Sequence, residues 1–393
     1  TQGKPVKVLL GFTIPVFIGN VFQQFYNMVD AVVVGKFVGT KALAAVGSTG
    51  TIIFLIIGFL LGLTAGFTVL TAQKYGAGKM DEMRQTVGNA LILTALVSAV
   101  MTAVSMTGMH ALLKFMHTPD DIFKDAYAYV MIICGGIFAQ ALYNILASIL
   151  RALGNSKTPL YFLILAALLN IVLDLVFIIV FHMGVAGAAI STLVSRIFCA
   201  VVVLIQLRKD RQPIVVRDYL KIRPDWAMIR RILGIGIPSG VENSMFQLGK
   251  LAIQSTVSTL GTTAIAAQAM TNILENLNGM AAIGIGVGLM TIVGQCMGAD
   301  RKDEAVYYIK KLSVIAEVAI IVSCLLVFAL TGPVTVLGGM EPASAKMCFH
   351  MVIWITIVKP IVWTLAFVPA YGLRAAGDVK FSMITSWLVM WLC

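Results

Sequence analysis

Four short segments of this chain occur twice, in the same order and at a nearly constant offset. Gln73-Lys74-Tyr75-Gly76-Ala77, followed by Asp81-Glu82, returns 222 residues later as Gln295-Cys296-Met297-Gly298-Ala299, followed by Asp303-Glu304. Val38-Gly39-Thr40 with Ala44-Ala45 returns as Leu260-Gly261-Thr262 with Ala266-Ala267. Leu10-Gly11-Phe12-Thr13-Ile14-Pro15 matches Leu233-Gly234-Ile235-Gly236-Ile237-Pro238, and Arg151-Ala152-Leu153-Gly154-Asn155 matches Arg374-Ala375-Ala376-Gly377-Asp378. A duplicated unit of this length commits the chain to two similar halves. In an apolar chain, two half-bundles that rock against each other give alternating access to a site between them.

The solvent follows from composition. With 59% hydrophobic and 12% charged residues, the chain cannot cover itself with polar surface in water. Apolar runs fall near 8–34, 42–72, 88–116, 122–149, 159–181, 184–207, 229–256, 263–295, 312–337, 345–373 and 380–393. Crossing about 30 Å of hydrocarbon takes about 20 residues at 1.5 Å each, so these runs read as membrane helices. They lack the period-2 alternation of a membrane barrel. The expectation is an all-α polytopic membrane protein of two pseudo-symmetric six-helix bundles. The eleventh run stops at Cys393, so the last helices of the second bundle are expected to be missing from this chain. The division is an N-terminal lobe at 1–208, a linker at 209–228 and a C-terminal lobe at 229–393.

Charge sets the orientation. Lys36, Lys41, Lys114, Lys124 and Lys346 fall on one side of such a bundle and Arg196, Lys250 and Lys359 within spans, leaving 21 of the 29 Lys and Arg on the side of the N-terminus. The positive-inside rule places that side in the cytoplasm, here of a bacterial cytoplasmic membrane. The net charge of +11 is accounted for by a basic face against anionic lipid, without need of nucleic acid. The six Cys are scattered without ligand spacing and read as small core residues.

An ionisable group inside a span costs several kcal/mol, which makes each one a functional suspect. Asp30 lies in the first span. Asn170 and Asp174, four apart in the fifth, share a helix face. Spans five and six turn near Met183, so Asp174 and Thr192 both sit roughly 13 Å below the turn and can meet. Asp30, Asn170, Asp174 and Thr192 together offer hard oxygen ligands, suited to a proton shared between two acids or to a dehydrated Na⁺. In the second half Glu242, Glu275 and Lys359 fall near mid-depth. They read either as mutual ion-pair partners or as the wall of a cavity that receives cationic substrate. No His-Glu-x-x-His, Gly-x-Ser-x-Gly or repeated selectivity-filter motif occurs, so neither an enzyme nor a channel is expected.

The paired Gln-x-x-Gly-Ala and Arg-Ala-x-Gly-Asn/Asp segments, with Phe-Gln-Gln-Phe-Tyr-Asn-Met-Val-Asp at 22–30, resemble the multidrug and toxic compound extrusion (MATE) transporters over essentially the whole chain. The resemblance implies a twelve-helix V of two lobes around a central cavity. It also implies export of organic cation drugs or toxic metabolites in exchange for H⁺ or Na⁺, by a monomer without a cofactor. Asp30, Asn170, Asp174 and Thr192 match the family's N-lobe cation site. In the second lobe Glu242 comes about a turn before the family's glutamate, and 363–371 holds no acid. Coupling is therefore expected in the N-lobe, with Glu242, Glu275 and Lys359 as substrate-cavity candidates. The alternative is a lipid-linked oligosaccharide or lipid flippase of the same superfamily, whose cavity would be lined by Arg and Lys.

Overall fold

A computed structural model describes residues 5–115, 118, 120–207, 223–337 and 340–392. Helix follows helix: α1 (Pro5–Phe37), α2 (Thr40–Gly76), α3 (Met80–Phe115), α4 (Asp120–Gly135), α5 (Ile137–Ala152), α6 (Lys157–Asp174), α7 (Gly184–Leu207), α8 (Trp226–Ser258), α9 (Thr262–Gly298), α10 (Lys302–Leu337), α11 (Pro342–Ala376) and α12 (Val379–Leu392). No strand occurs among the described residues. Among the described residues each expected apolar run is essentially helical. The run at 122–149 is broken into α4 and α5, bent by 48° where Gly135 and Gly136 adjoin. Seven of the described helices are long and apolar enough to cross a membrane, and α4 with α5 makes an eighth. Most of the linker expected at 209–228 lies outside the described residues, and α8 starts within it, at Trp226.

Three of the four duplicated segments lie at helix ends, and the fourth, ending in Pro15 and Pro238, lies inside α1 and α8. In Arg151-Ala152-Leu153-Gly154 and Arg374-Ala375-Ala376-Gly377 the glycines take φ of +86° and +99°, which a residue with a Cβ resists. That conformation turns the following amides back on the helix: Asn155 N–H donates to Leu150 O (2.9 Å) and Asp378 N–H to Leu373 O (3.0 Å). After each Gln-x-x-Gly-Ala, an acidic pair opens the next helix, Asp81-Glu82 in α3 and Asp303-Glu304 in α10, where carboxylates favour the positive end of the helix dipole. Lys79 pairs with Glu82 at 3.0 Å and Arg301 with Glu304 at 3.1 Å, the same contact in both copies.

These turns, together with the start of α1, lie at one end of the bundle, called basal below; the opposite end is distal. The largest core cluster is basal and common to both halves. It joins Leu63, Phe67 and Leu70 of α2 and Ile145 of α5 to Ile232 of α8 and Leu289 of α9. The distal clusters are separate: Val34, Leu60, Met109 and Val130 in the first half, and Leu274, Val327 and Val352 in the second. Where α2 crosses α8, a Cβ on Gly62 would strike the backbone of Gly240, and one on Gly66 would come 2.9 Å from Gly236 N. One turn further out, at Gly58, the nearest backbone atom is 4.0 Å away. The halves therefore meet basally and diverge distally. Asn89 of α3 ties the seam further, accepting from the Asp225 backbone N–H at 2.8 Å, while the Asp225 carboxylate caps α8 through Ala227 N and Met228 N. Large apolar side chains such as Leu96, Val100 and Val104 on α3 and Val318 and Leu325 on α10 face outward, as lipid contact requires.

Candidate functional site

Three helices of the first half bring the N-lobe residues together. α1 carries Tyr26 and Asp30, α6 carries Asn170 and Asp174, and α7 carries Thr192 and Arg196, each pair one turn apart. Because α7 runs antiparallel to α1 and α6, the residues sort into layers. In the distal layer the Asp30 and Asp174 carboxyls adjoin, and Ser191 Oγ donates to Asp174 Oδ1. Asp174 is fully buried. Next comes Asn170, whose Nδ2 donates to Thr192 Oγ1 at 3.4 Å. One turn further toward the basal end, Arg196 donates to the Tyr26 hydroxyl at 2.7 Å and lies over the Tyr26 and Tyr143 rings at 5.5 and 5.9 Å. Tyr26, Asn170, Thr192, Ser195 and Arg196 line a small pocket between these helices.

The oxygen inventory is lopsided. Asp30 Oδ1, Asp174 Oδ2 and Asn170 Oδ1 are buried acceptors with no hydrogen-bond donor among the described residues. Buried acceptors without donors are costly, and a proton or a small hard cation at the two adjoining carboxyls, with Asn170 one turn away, would relieve that cost. Immediately after Asp174 the helix widens into a π-turn, Leu175–Val180, an irregularity frequent at functional positions. No cluster of three or more His, Cys, Asp or Glu that could hold a metal ion occurs among the described residues.

All four N-lobe residues singled out from the sequence thus come together. About the Met183 turn the residue that reaches Asp174 is Ser191, one short of the equal-depth position, while Thr192 reaches Asn170, one turn before Asp174 on the same helix. Ser191 and Tyr26 are not singled out by the sequence, because a serine or tyrosine in a membrane helix carries no signal until its neighbour across the bundle is known.

The second-half residues divide. Lys359 and Glu275 form an ion pair at 3.6 Å, with the Lys359 side chain nearly buried. Glu242 is not its third member. It binds Arg374 at 2.6 Å, both side chains 11% exposed, and accepts from Ser386 Oγ at 3.0 Å and Ser382 Oγ at 3.4 Å. The expected mutual pairing is thus found for Glu275 and Lys359 alone: the partners of Glu242 are Arg374, near the end of α11, and Ser382 and Ser386 of α12. Arg374, whose place at a helix end suits helix carbonyls and lipid phosphates, is instead held by this carboxylate.

The family model described as MatE matches residues 15–176 and 238–393. Among curated proteins, the probable multidrug resistance protein YoeA of Bacillus subtilis (strain 168) is 27% identical over 388 residues, 97% of this chain and 83% of the relative. The probable multidrug resistance protein YpnP of the same organism is 30% identical over 302 residues, 77% of this chain and 67% of the relative. Among solved structures, an outward-facing conformation of a multidrug resistance MATE family transporter superposes with a TM-score of 0.92 at 21% identity, covering 100% of this chain and 87% of the other. With the motifs at the helix ends, the two half-bundles and the matches to both copies, the chain belongs to the multidrug and toxic compound extrusion (MATE) family of membrane transporters.

Proposed function

We propose that this protein exports organic cations across a bacterial cytoplasmic membrane in exchange for H⁺ or Na⁺, with the basal end in the cytoplasm. The observation that carries the reading is the adjoining Asp30 and Asp174 carboxyls, buried among Asn170, Thr192 and Ser191 with three acceptor oxygens lacking donors. Two carboxylates in a region of low permittivity cannot both stay ionised without a counter-charge. One bound proton or one Na⁺ relieves the repulsion. Asp30 sits on α1, which packs both on α6 of its own half and on α9 of the other. Ion loading that draws Asp30 toward Asp174 therefore acts on a helix shared by both halves. In the distally open form the site loads from outside, α1 repacks, and the substrate leaves the cleft between the halves. The neutralised lobe then rocks back.

Because drug and ion compete for one conformational outcome, their binding is mutually antagonistic, with a reciprocal coupling of about 1–3 kcal/mol. The test is titration of a fluorescent cationic dye against purified protein at varied pH and varied Na⁺. Affinity that falls as one ion rises names that ion. Affinity independent of both rules the antiport out. The Glu275–Lys359 pair supports a wall of the central cleft, where Glu275 is the more exposed partner and the one available to a cation.

A further inference from the structure

Two of the duplicated motifs, Gln-x-x-Gly-Ala and Arg-Ala-x-Gly, meet each other across the halves. Gln73 of α2 donates from Nε2 to the carbonyl of Ala375, at the end of α11, at 2.8 Å. Gln295 of α9, its counterpart in the second copy, donates to the carbonyl of Ala152, at the end of α5, also at 2.8 Å. Each glutamine of a Gln-x-x-Gly-Ala segment thus grips the Arg-Ala-x-Gly segment of the opposite half. Both acceptors belong to the last turn of a helix, where carbonyls have no partner within the helix. The glycines of the same motifs let the grip close: a Cβ on Gly76 would run into the Gln295 carbonyl, and one on Gly298 into the Gln73 carbonyl. Ala152 and Ala375 are fully buried and Gln295 nearly so.

The geometry points to a basal latch, a pair of pseudo-symmetric glutamine clasps that holds the two halves shut at this end and has to part whenever the basal side opens. The inference goes beyond the transport reading and depends on neither the ion nor the substrate. The chemistry suits a reversible contact. An orphan helix carbonyl and a glutamine amide at the end of a bundle are hydrogen-bonded to each other when closed and to water when open, so neither state strands a buried polar group. A neutral hydrogen bond then biases closure only modestly, by about five-fold each and about thirty-fold for the pair. A salt bridge or a disulfide in the same place would hold the end shut.

The experiment reads basal opening by thiol alkylation. Ala72, one residue before the clasp, is fully buried and faces the other half, where a Cβ on Gly294 would lie 2.9 Å from it. With Ala72→Cys as reporter, purified protein is treated with a small maleimide, and the rate is followed by mass spectrometry with and without Gln73→Met and Gln295→Met. Methionine keeps the side-chain length and removes the donor. Native Cys134, buried inside the first half, is the internal control. The latch predicts that each single substitution raises the rate at the reporter thiol about five-fold and the double about thirty-fold, with Cys134 unchanged. An unchanged rate at the reporter overturns the proposal. A parallel rise at the reporter and at Cys134 also overturns it, because the glutamines would then support the fold rather than the closed state.

Discussion

Replacing Glu242 by Gln tests the reassignment of this residue most directly. The Arg374–Glu242 pair is short, at 2.6 Å, and both side chains are about nine-tenths buried. At an effective permittivity of ~20 the attraction at that separation is about 6 kcal/mol, most of which is offset by the desolvation of both ions. The pair compared with two apolar residues is therefore near neutral. Removing one partner is different, because Arg374 is left as a buried charge, at a cost of about 3–5 kcal/mol. Ser382 and Ser386, which fix the first turns of α12 through Glu242, retain only a weaker amide acceptor. Unfolding of the detergent-solubilised protein, followed by tryptophan fluorescence against increasing sodium dodecyl sulfate, should show Glu242→Gln destabilised by about 3–5 kcal/mol. The double substitution Glu242→Met with Arg374→Met should return to within about 1 kcal/mol of the parent. A Glu242→Gln protein as stable as the parent, with weakened binding of cationic dyes alone, would refute the structural role and return Glu242 to the substrate cavity.

Asp30→Asn and Asp174→Asn should each abolish ion-driven dye export in proteoliposomes while leaving dye binding measurable; full uphill transport by both would remove the N-lobe acids from coupling. Ser191→Ala takes a donor from Asp174 and should lower the apparent affinity for the coupling ion by about 5–10-fold, read from the ion dependence of transport. Glu275→Gln should weaken binding of cationic dyes more than of neutral ones, and equal effects would leave the Glu275–Lys359 pair a purely structural contact. At the basal turn, before the apolar run at 88–116, Lys74 and Lys79 hold the Glu82 carboxyl below its usual range. A depressed pKa in the folded state adds stability above the ordinary Glu range and loses it as pH falls through the folded value. Glu82→Gln should therefore differ from the parent at neutral pH and converge with it in acid, as followed by unfolding at a series of pH values.

Much of this molecule was legible in the residues alone. The number and limits of the apolar runs follow from the thickness of hydrocarbon and the rise of a helix, which need no tertiary information. The duplication follows from matching segments. Asp30 and Asp174 stood out because an acid in lipid demands an explanation at any position. Asn170 and Thr192 followed from the spacing of four and from equal depth about one hairpin, both local geometry.

What only the tertiary structure decided lies between helices distant in sequence. Glu242 and Arg374 are 132 positions apart. Their pairing depends on how far α8 begins below the end of α11, and no count along either helix reveals that. Gln73 and Ala375 are more distant still, and the role of Gln-x-x-Gly-Ala was invisible while each copy was read within its own half. The bend at Gly135–Gly136, the layers that place Arg196 and Tyr26 one turn from the acids, and the closure of one end of the bundle alone have the same origin. Periodicity and burial cost act on each helix separately. Which faces meet, and at what level, is set by packing two whole half-bundles against each other.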